Sequence, residues 1–97
     1  MFFCSPWNPC GRIWSKEELQ KLVNLVVKYK FYIFSDEIYS DSVEPTKSER
    51  ENGKTVKDIF VSLLSFPEVY PYLVYANSYS KAFNSSGQPL GYSLCFE

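Results

Sequence analysis

Phe31-Tyr32-Ile33-Phe34 runs straight into Ser35-Asp36-Glu37. Four consecutive aromatic or β-branched residues, with no polar alternation, predict a central strand buried on both faces. Such strands belong to parallel sheets, in which helical crossovers cover the sheet. The preceding segment agrees. Leu19, Leu22, Val23, Val26 and Val27 recur at helical spacing, behind Ser15-Lys16-Glu17-Glu18. That tetrapeptide is a capping box, with Glu three residues after Ser. A helix is expected from about Lys16 to about Tyr29, with Lys28 and Lys30 where cations suit the helix dipole.

The pattern continues outward. Phe2 to Cys4 reads as a short buried strand that stops at Ser5-Pro6, and Ser5 to Gly11 is dense in turn formers. From Asp41 to Lys54 charged residues crowd around Pro45 and Gly53, which reads as a solvated, mobile loop. Val56, Ile59, Phe60, Leu63 and Leu64 suggest a second helix over 55–64. Leu73-Val74-Tyr75-Ala76 reads as a strand ending at Asn77-Ser78, and Tyr92 to Phe96 as a weaker last strand. Strand, helix, strand, helix, strand implies an α/β fold with a mainly parallel sheet, flanking helices and right-handed crossovers. Ligands bind such sheets beyond the carboxyl ends of the strands. The loops holding Asn8, Asp36 and Lys81 all leave strand ends and converge there if the strands are neighbours.

Composition narrows the function. The 97 residues suffice for one domain and not two. A net charge of -1 lacks the basic excess of a nucleic-acid binder. There is no His, which excludes a Ser-His-Asp mechanism and any His-ligated metal. Cys4, Cys10 and Cys95 form no C-x-x-C pair, so no metal site is expected, and they point to reduced thiols in a cytoplasmic protein. Cys4 and Cys95 read as strand-core residues. No apolar run is long enough to span a membrane, and the first residues do not read as a signal peptide.

Three motifs occur in order: Asn8-Pro9-Cys10-Gly11-Arg12, Ser35-Asp36-Glu37-Ile38-Tyr39 and Ser78-Tyr79-Ser80-Lys81. Together they resemble the middle of the large domain of class I/II aminotransferases, the fold type I pyridoxal-phosphate enzymes. Gly11 to Leu19 also resembles the branch of cystathionine β-lyase-like C–S lyases. The resemblance implies a fragment of the cofactor-binding domain over 1–97, pyridoxal 5'-phosphate as cofactor, and transamination between amino-acid and 2-oxo-acid substrates. It gives Lys81 the catalytic Schiff-base role and Asp36 the partnership with the pyridine nitrogen. Asn8 and Tyr39 match donors to the cofactor's 3'-oxygen, and Ser78 matches a phosphate ligand. A homodimer is implied in the same way. The chemistry suits these types, because a carboxylate favours the protonated ring nitrogen that makes the cofactor an electron sink.

Each position also has an ordinary reading. Lys81 fits a surface lysine, Asp36 a turn cap, Tyr39 a packing residue, and Asn8 and Ser78 loop residues. Glu37 reads as structural, and Cys10, where the family usually has Thr, as inert. The family's phosphate-binding Arg, eight residues after the lysine, is replaced by Pro89, and Ser85 stands where an aliphatic residue is usual. Complete relatives are several times longer, and the chain opens almost on its first strand, which suggests a partial chain. A C–S β-lyase and a catalytically inactive fragment are therefore the alternatives. An acidic magnesium site built on Asp36, Glu37 and Lys81 is a more distant rival.

Overall fold

The computed structural model describes residues 1–84, 87 and 90–96. Four strands form one sheet in chain order: β1 (Phe2–Cys4), β2 (Ile33–Asp36), β3 (Leu73–Ser78) and β4 (Gly91–Cys95). The first three are parallel neighbours and β4 returns antiparallel to β3. The carboxyl ends of β1, β2 and β3 therefore share one edge of the sheet, as the strand order required.

Helix α1 (Lys16–Tyr29) has the expected bounds, and its capping box is formed: Glu18 N–H donates to Ser15 Oγ, and Ser15 N–H donates to the Glu18 carboxylate. Lys30 ends it in the left-handed region, with φ 54°. That turn delays the next strand, so β2 starts at Ile33 rather than Phe31 and carries Asp36 inside its last position. Leu19, Val23 and Val26 lie one turn apart and pack, fully buried, on Phe3, Ile33, Leu73 and Tyr75. Each such side chain contributes about 1.5–3 kcal/mol by leaving water. Val27 faces outward, at the margin of that stripe.

Two expectations need correction. The charged stretch 41–54 is not all loop: α2 (Lys47–Glu51) stands in it behind its own capping box, Thr46 with Glu49. The helix expected over 55–64 is a single turn, α3 (Val56–Ile59), followed by 3-10 turns at Leu63–Ser65 and Pro67–Tyr72. Thr55 and Asp58 cap the one turn. The apolar spacing is real, but it serves extended and 3-10 backbone, from which Leu63, Phe66 and Val69 enter the core. Pro67 cannot supply the N–H that a longer α-helix would need.

Strand alternation divides the sheet. The row Phe3, Ser35, Tyr75 faces α1, whereas Phe2, Phe34, Val74 and Cys95 form an in-register row on the other face. Phe2 is 86% exposed and Phe34 37%. Cys95 is exposed and Cys4 half-buried, so neither is the core residue expected of it; the second face has no covering layer among the described residues.

Candidate active site

The loop after β1 continues the ladder for one residue, with Ser5 N–H donating to the Asp36 carbonyl. It then folds back on itself. Trp7 N–H donates to the Arg12 carbonyl, and Gly11 N–H to the Trp7 carbonyl. Gly11 has φ 70°, a conformation that any side chain would strain. Arg12 anchors the return strand, stacking over Trp14 at 4.1 Å and pairing with Glu18 at 2.7 Å. The tip carries Asn8 into solvent. Asn8 and Tyr39 line one hollow of about 400 Å³, together with Trp7 and Val43.

Asp36 and Glu37 are adjacent and diverge. Asp36 is half-buried on the uncovered face, and one of its carboxylate oxygens accepts from Ile38 N–H at 3.1 Å. Among the described residues its other oxygen has no side-chain or backbone donor. Asp36 lines a groove of about 620 Å³ with Phe2, Trp7, Trp14 and Phe34. Glu37 continues the ladder and points to the opposite face, where it is 1% exposed. It accepts from Leu63 N–H at 3.0 Å and from Ser35 Oγ at 3.2 Å. Its second oxygen is buried with no partner among the described residues. Burial pushes the Glu37 carboxyl up, against smaller opposing effects of the nearby Ser62 and of the hydrogen bonds from Leu63 and Ser35. The magnesium reading fails here, because the two carboxylates leave the sheet on opposite sides.

Near the end of β3, Asn77 ties the loop after β2 to this strand. Its amide donates to Ser40 Oγ at 3.1 Å and to the Tyr75 hydroxyl at 2.8 Å. Burial also pushes the Tyr75 phenol up. Ser78 ends β3 and caps the one-turn helix α4 (Tyr79–Ala82), accepting from Ser80 N–H at 3.0 Å. Ser78 is nearly buried, and its hydroxyl lies 2.6 Å from the Leu90 carbonyl. Lys81 is exposed on α4. Ser85 and Pro89 lie outside the described residues.

The structure thus brings Asn8 and Tyr39 together and sets Asp36 in the adjoining groove. Trp7 lines both hollows. Ser78 and Lys81 line neither of the two, though they leave the same edge of the sheet. Sequence reasoning passed over Trp7, Asn77 and Ser80. For Trp7 a signal existed, an aromatic in a turn-rich loop with no helix or strand to bury it.

The family model for class I and II aminotransferases matches residues 1–97. The chain belongs to this family. It is 38% identical over 93 residues to the aspartate aminotransferase of Thermotoga maritima, covering 96% of this chain and 22% of that one. The solved structure of aspartate aminotransferase from Thermotoga maritima superposes with a TM-score of 0.79 at 34% identity, over 97% of this chain and 22% of the other. Cystalysin from Treponema denticola, solved with pyridoxal 5'-phosphate, gives 0.79 at 30%, over 97% and 21%. The chain spans about a fifth of the length of these relatives.

Whether pyridoxal phosphate fits these residues is decided by the donor set. Asp36 offers, on the open face, a carboxylate oxygen with no donor among the described residues. Asn8 offers an amide and Tyr39 a phenol in one hollow beside it. Lys81 offers an exposed amine. By chemical type these groups match the ring nitrogen, the ring oxygen and the aldehyde of pyridoxal phosphate, while Lys81 lines neither hollow. The phosphate end is less provided for, since the Ser78 hydroxyl is already engaged with Leu90.

Proposed function

We propose that these residues are part of a pyridoxal-phosphate-dependent aminotransferase acting on an amino acid and a 2-oxo acid. The observation that carries the reading is Asp36, held half-buried at the carboxyl edge of a parallel sheet, with an unpartnered oxygen next to the Asn8–Tyr39 hollow. When bound, the cofactor supplies an electron sink for the substrate's α-carbon. The chain's own residues do the rest. The Lys81 amine would hold the cofactor through its aldehyde, with loss of water, and, once released, would carry the substrate's α-proton. The Asp36 carboxylate holds a proton on the ring nitrogen. Asn8 and Tyr39 donate to the ring oxygen and orient the ring. Ser78 is assigned to the phosphate.

A homodimer and a cytoplasmic location belong to the same proposal. The free thiols Cys4, Cys10 and Cys95 support a reducing compartment. Among the described residues no helix is long and apolar enough to cross a membrane. The C–S β-lyase alternative uses the same proton removal and is favoured only by the Gly11–Leu19 stretch. On this reading the 97 residues by themselves bind cofactor weakly and do not turn over substrate, since about four fifths of the relatives' length is not represented.

The test is a spectroscopic titration of the chain with pyridoxal phosphate, beside Lys81→Ala and Asp36→Asn. The expected result is a saturable absorbance change that Lys81→Ala abolishes and that Asp36→Asn shifts in band position and pH dependence. Equal changes in all three proteins would refute the assignment.

A further inference from the structure

Ser78, Ser80 and Leu90 form a closed hydrogen-bonded ring. Leu90 N–H donates to Ser80 Oγ at 3.2 Å, and the Leu90 carbonyl lies 2.6 Å from Ser78 Oγ. The two hydroxyls are 3.0 Å apart, and Tyr79 N–H donates to the same carbonyl at 3.2 Å. A hydroxyl has one hydrogen and a carbonyl only accepts. The Ser78 hydrogen therefore goes to Leu90, and the Ser80 hydroxyl donates to Ser78. Ser78 Oγ then accepts from Ser80 N–H and the Ser80 hydroxyl and donates to Leu90, so its capacity is full. Both serines are under a tenth exposed.

We propose that Ser78 and Ser80 clasp the Leu90 peptide and thereby position Lys81. Helix α4 has four residues, too few to hold its shape alone, because helix nucleation is unfavourable. The clasp fixes the three residues immediately before Lys81. Its geometry has a second consequence. Ser78 cannot donate to a phosphate while it donates to Leu90. Phosphate binding at Ser78 and its bond to Leu90 exclude each other, so an arriving phosphate leaves the Leu90 carbonyl with Tyr79 N–H alone and loosens the clasp. The role given to Lys81 rests on the functional reading above, whereas the clasp itself does not.

The experiment is residue-resolved amide hydrogen exchange on the 97-residue chain, alone and titrated with inorganic phosphate against chloride at matched ionic strength. Ser80→Ala, Ser80→Thr and the exposed control Ser48→Ala are measured beside it. Exchange at Leu90 and Tyr79 is expected to rise roughly five- to tenfold in Ser80→Ala, the size of one lost hydrogen bond. Ser80→Thr, which keeps a hydroxyl, should restore protection, and Ser48→Ala should leave it unchanged. Phosphate should speed exchange at the same two amides in the unaltered chain, and this arm needs no variant to fold. Reductive trapping of pyridoxal phosphate should lose its selectivity for Lys81 in Ser80→Ala and recover it in Ser80→Thr. Equal protection in all variants, or exchange indifferent to phosphate, would overturn the clasp. Absence of Lys81 trapping in the unaltered chain would instead sink the functional reading and leave the exchange result standing.

Discussion

The two faces of the sheet are made by the same strands and have opposite fates. On one, Phe3, Ile33, Leu73 and Tyr75 are sealed under α1 and the segment from Leu63 to Val69. On the other, Phe2, Phe34, Val74 and Cys95 stand in register with no layer over them among the described residues. Parallel sheets are ordinarily covered on both sides. The strands are apolar on both faces, so the sequence is written for a covering layer on each. The covered face holds the fold together, and the open face carries Asp36, whose groove runs round the β1 edge to Phe3 and Leu19.

The largest break in this comparison comes from the covered face. Ile33→Ala or Leu63→Ala should cost about 2–5 kcal/mol, since both side chains are fully buried. Urea unfolding would show it as a midpoint shift or as loss of the folded baseline. A loss below about 1 kcal/mol would mean that the core is not where the contacts put it.

Glu37 tests the polar end of the same face. Glu37→Ala leaves the buried Leu63 N–H without its acceptor, at about 1–3 kcal/mol. The pH dependence has a definite sign. Burial raises the folded carboxyl above its ordinary value of 4.5. Stability from Glu37 is therefore full below that value and is lost as pH rises through the folded pKa. Glu37→Gln should remove this slope. Glu18, Glu49 and Asp58 act oppositely, each held low first by its capping hydrogen bond to a backbone N–H. Their contribution is present above the ordinary carboxylate range and fades as pH falls. Stability measured against pH in the unaltered chain and in Glu37→Gln separates the two trends.

Ser15→Ala should cost about 1 kcal/mol through loss of the α1 cap, read from the same unfolding curves. The smallest effect on stability belongs to the open face. Phe2→Ser should change unfolding by less than about 0.5 kcal/mol while lowering self-association in light scattering. A large stability loss from Phe2→Ser would contradict the division of the faces.

The sequence showed the elements that its local chemistry dictates. The Ser15 box, the stripe through Leu19 and Val26 and the turn at Gly11 all stand where their residue types require. What failed was length and partnership. Val56 to Leu64 has helical spacing, yet its apolar residues reach the core from 3-10 and extended backbone, a tertiary choice that spacing does not contain. Cys95 has a strand-core composition but lies on an outer strand. Motif order named Asn8, Asp36, Tyr39, Ser78 and Lys81 as candidates, and of these the structure sets Asn8 and Tyr39 in one hollow and Asp36 in the adjoining groove. That Asp36 and Glu37 part to opposite faces follows from strand alternation, once β2 is known to extend through Asp36. The Ser78–Ser80–Leu90 ring joins residues ten and more positions apart and was not legible at all.

The most direct test of the account is where pyridoxal phosphate attaches. The chain is incubated with it, reduced with borohydride, digested and mapped by mass spectrometry, with Lys81→Ala as control. The account predicts saturable labelling of Lys81 in preference to the other lysines, lost in Lys81→Ala. Label scattered over the lysines, and unchanged in Lys81→Ala, would contradict it.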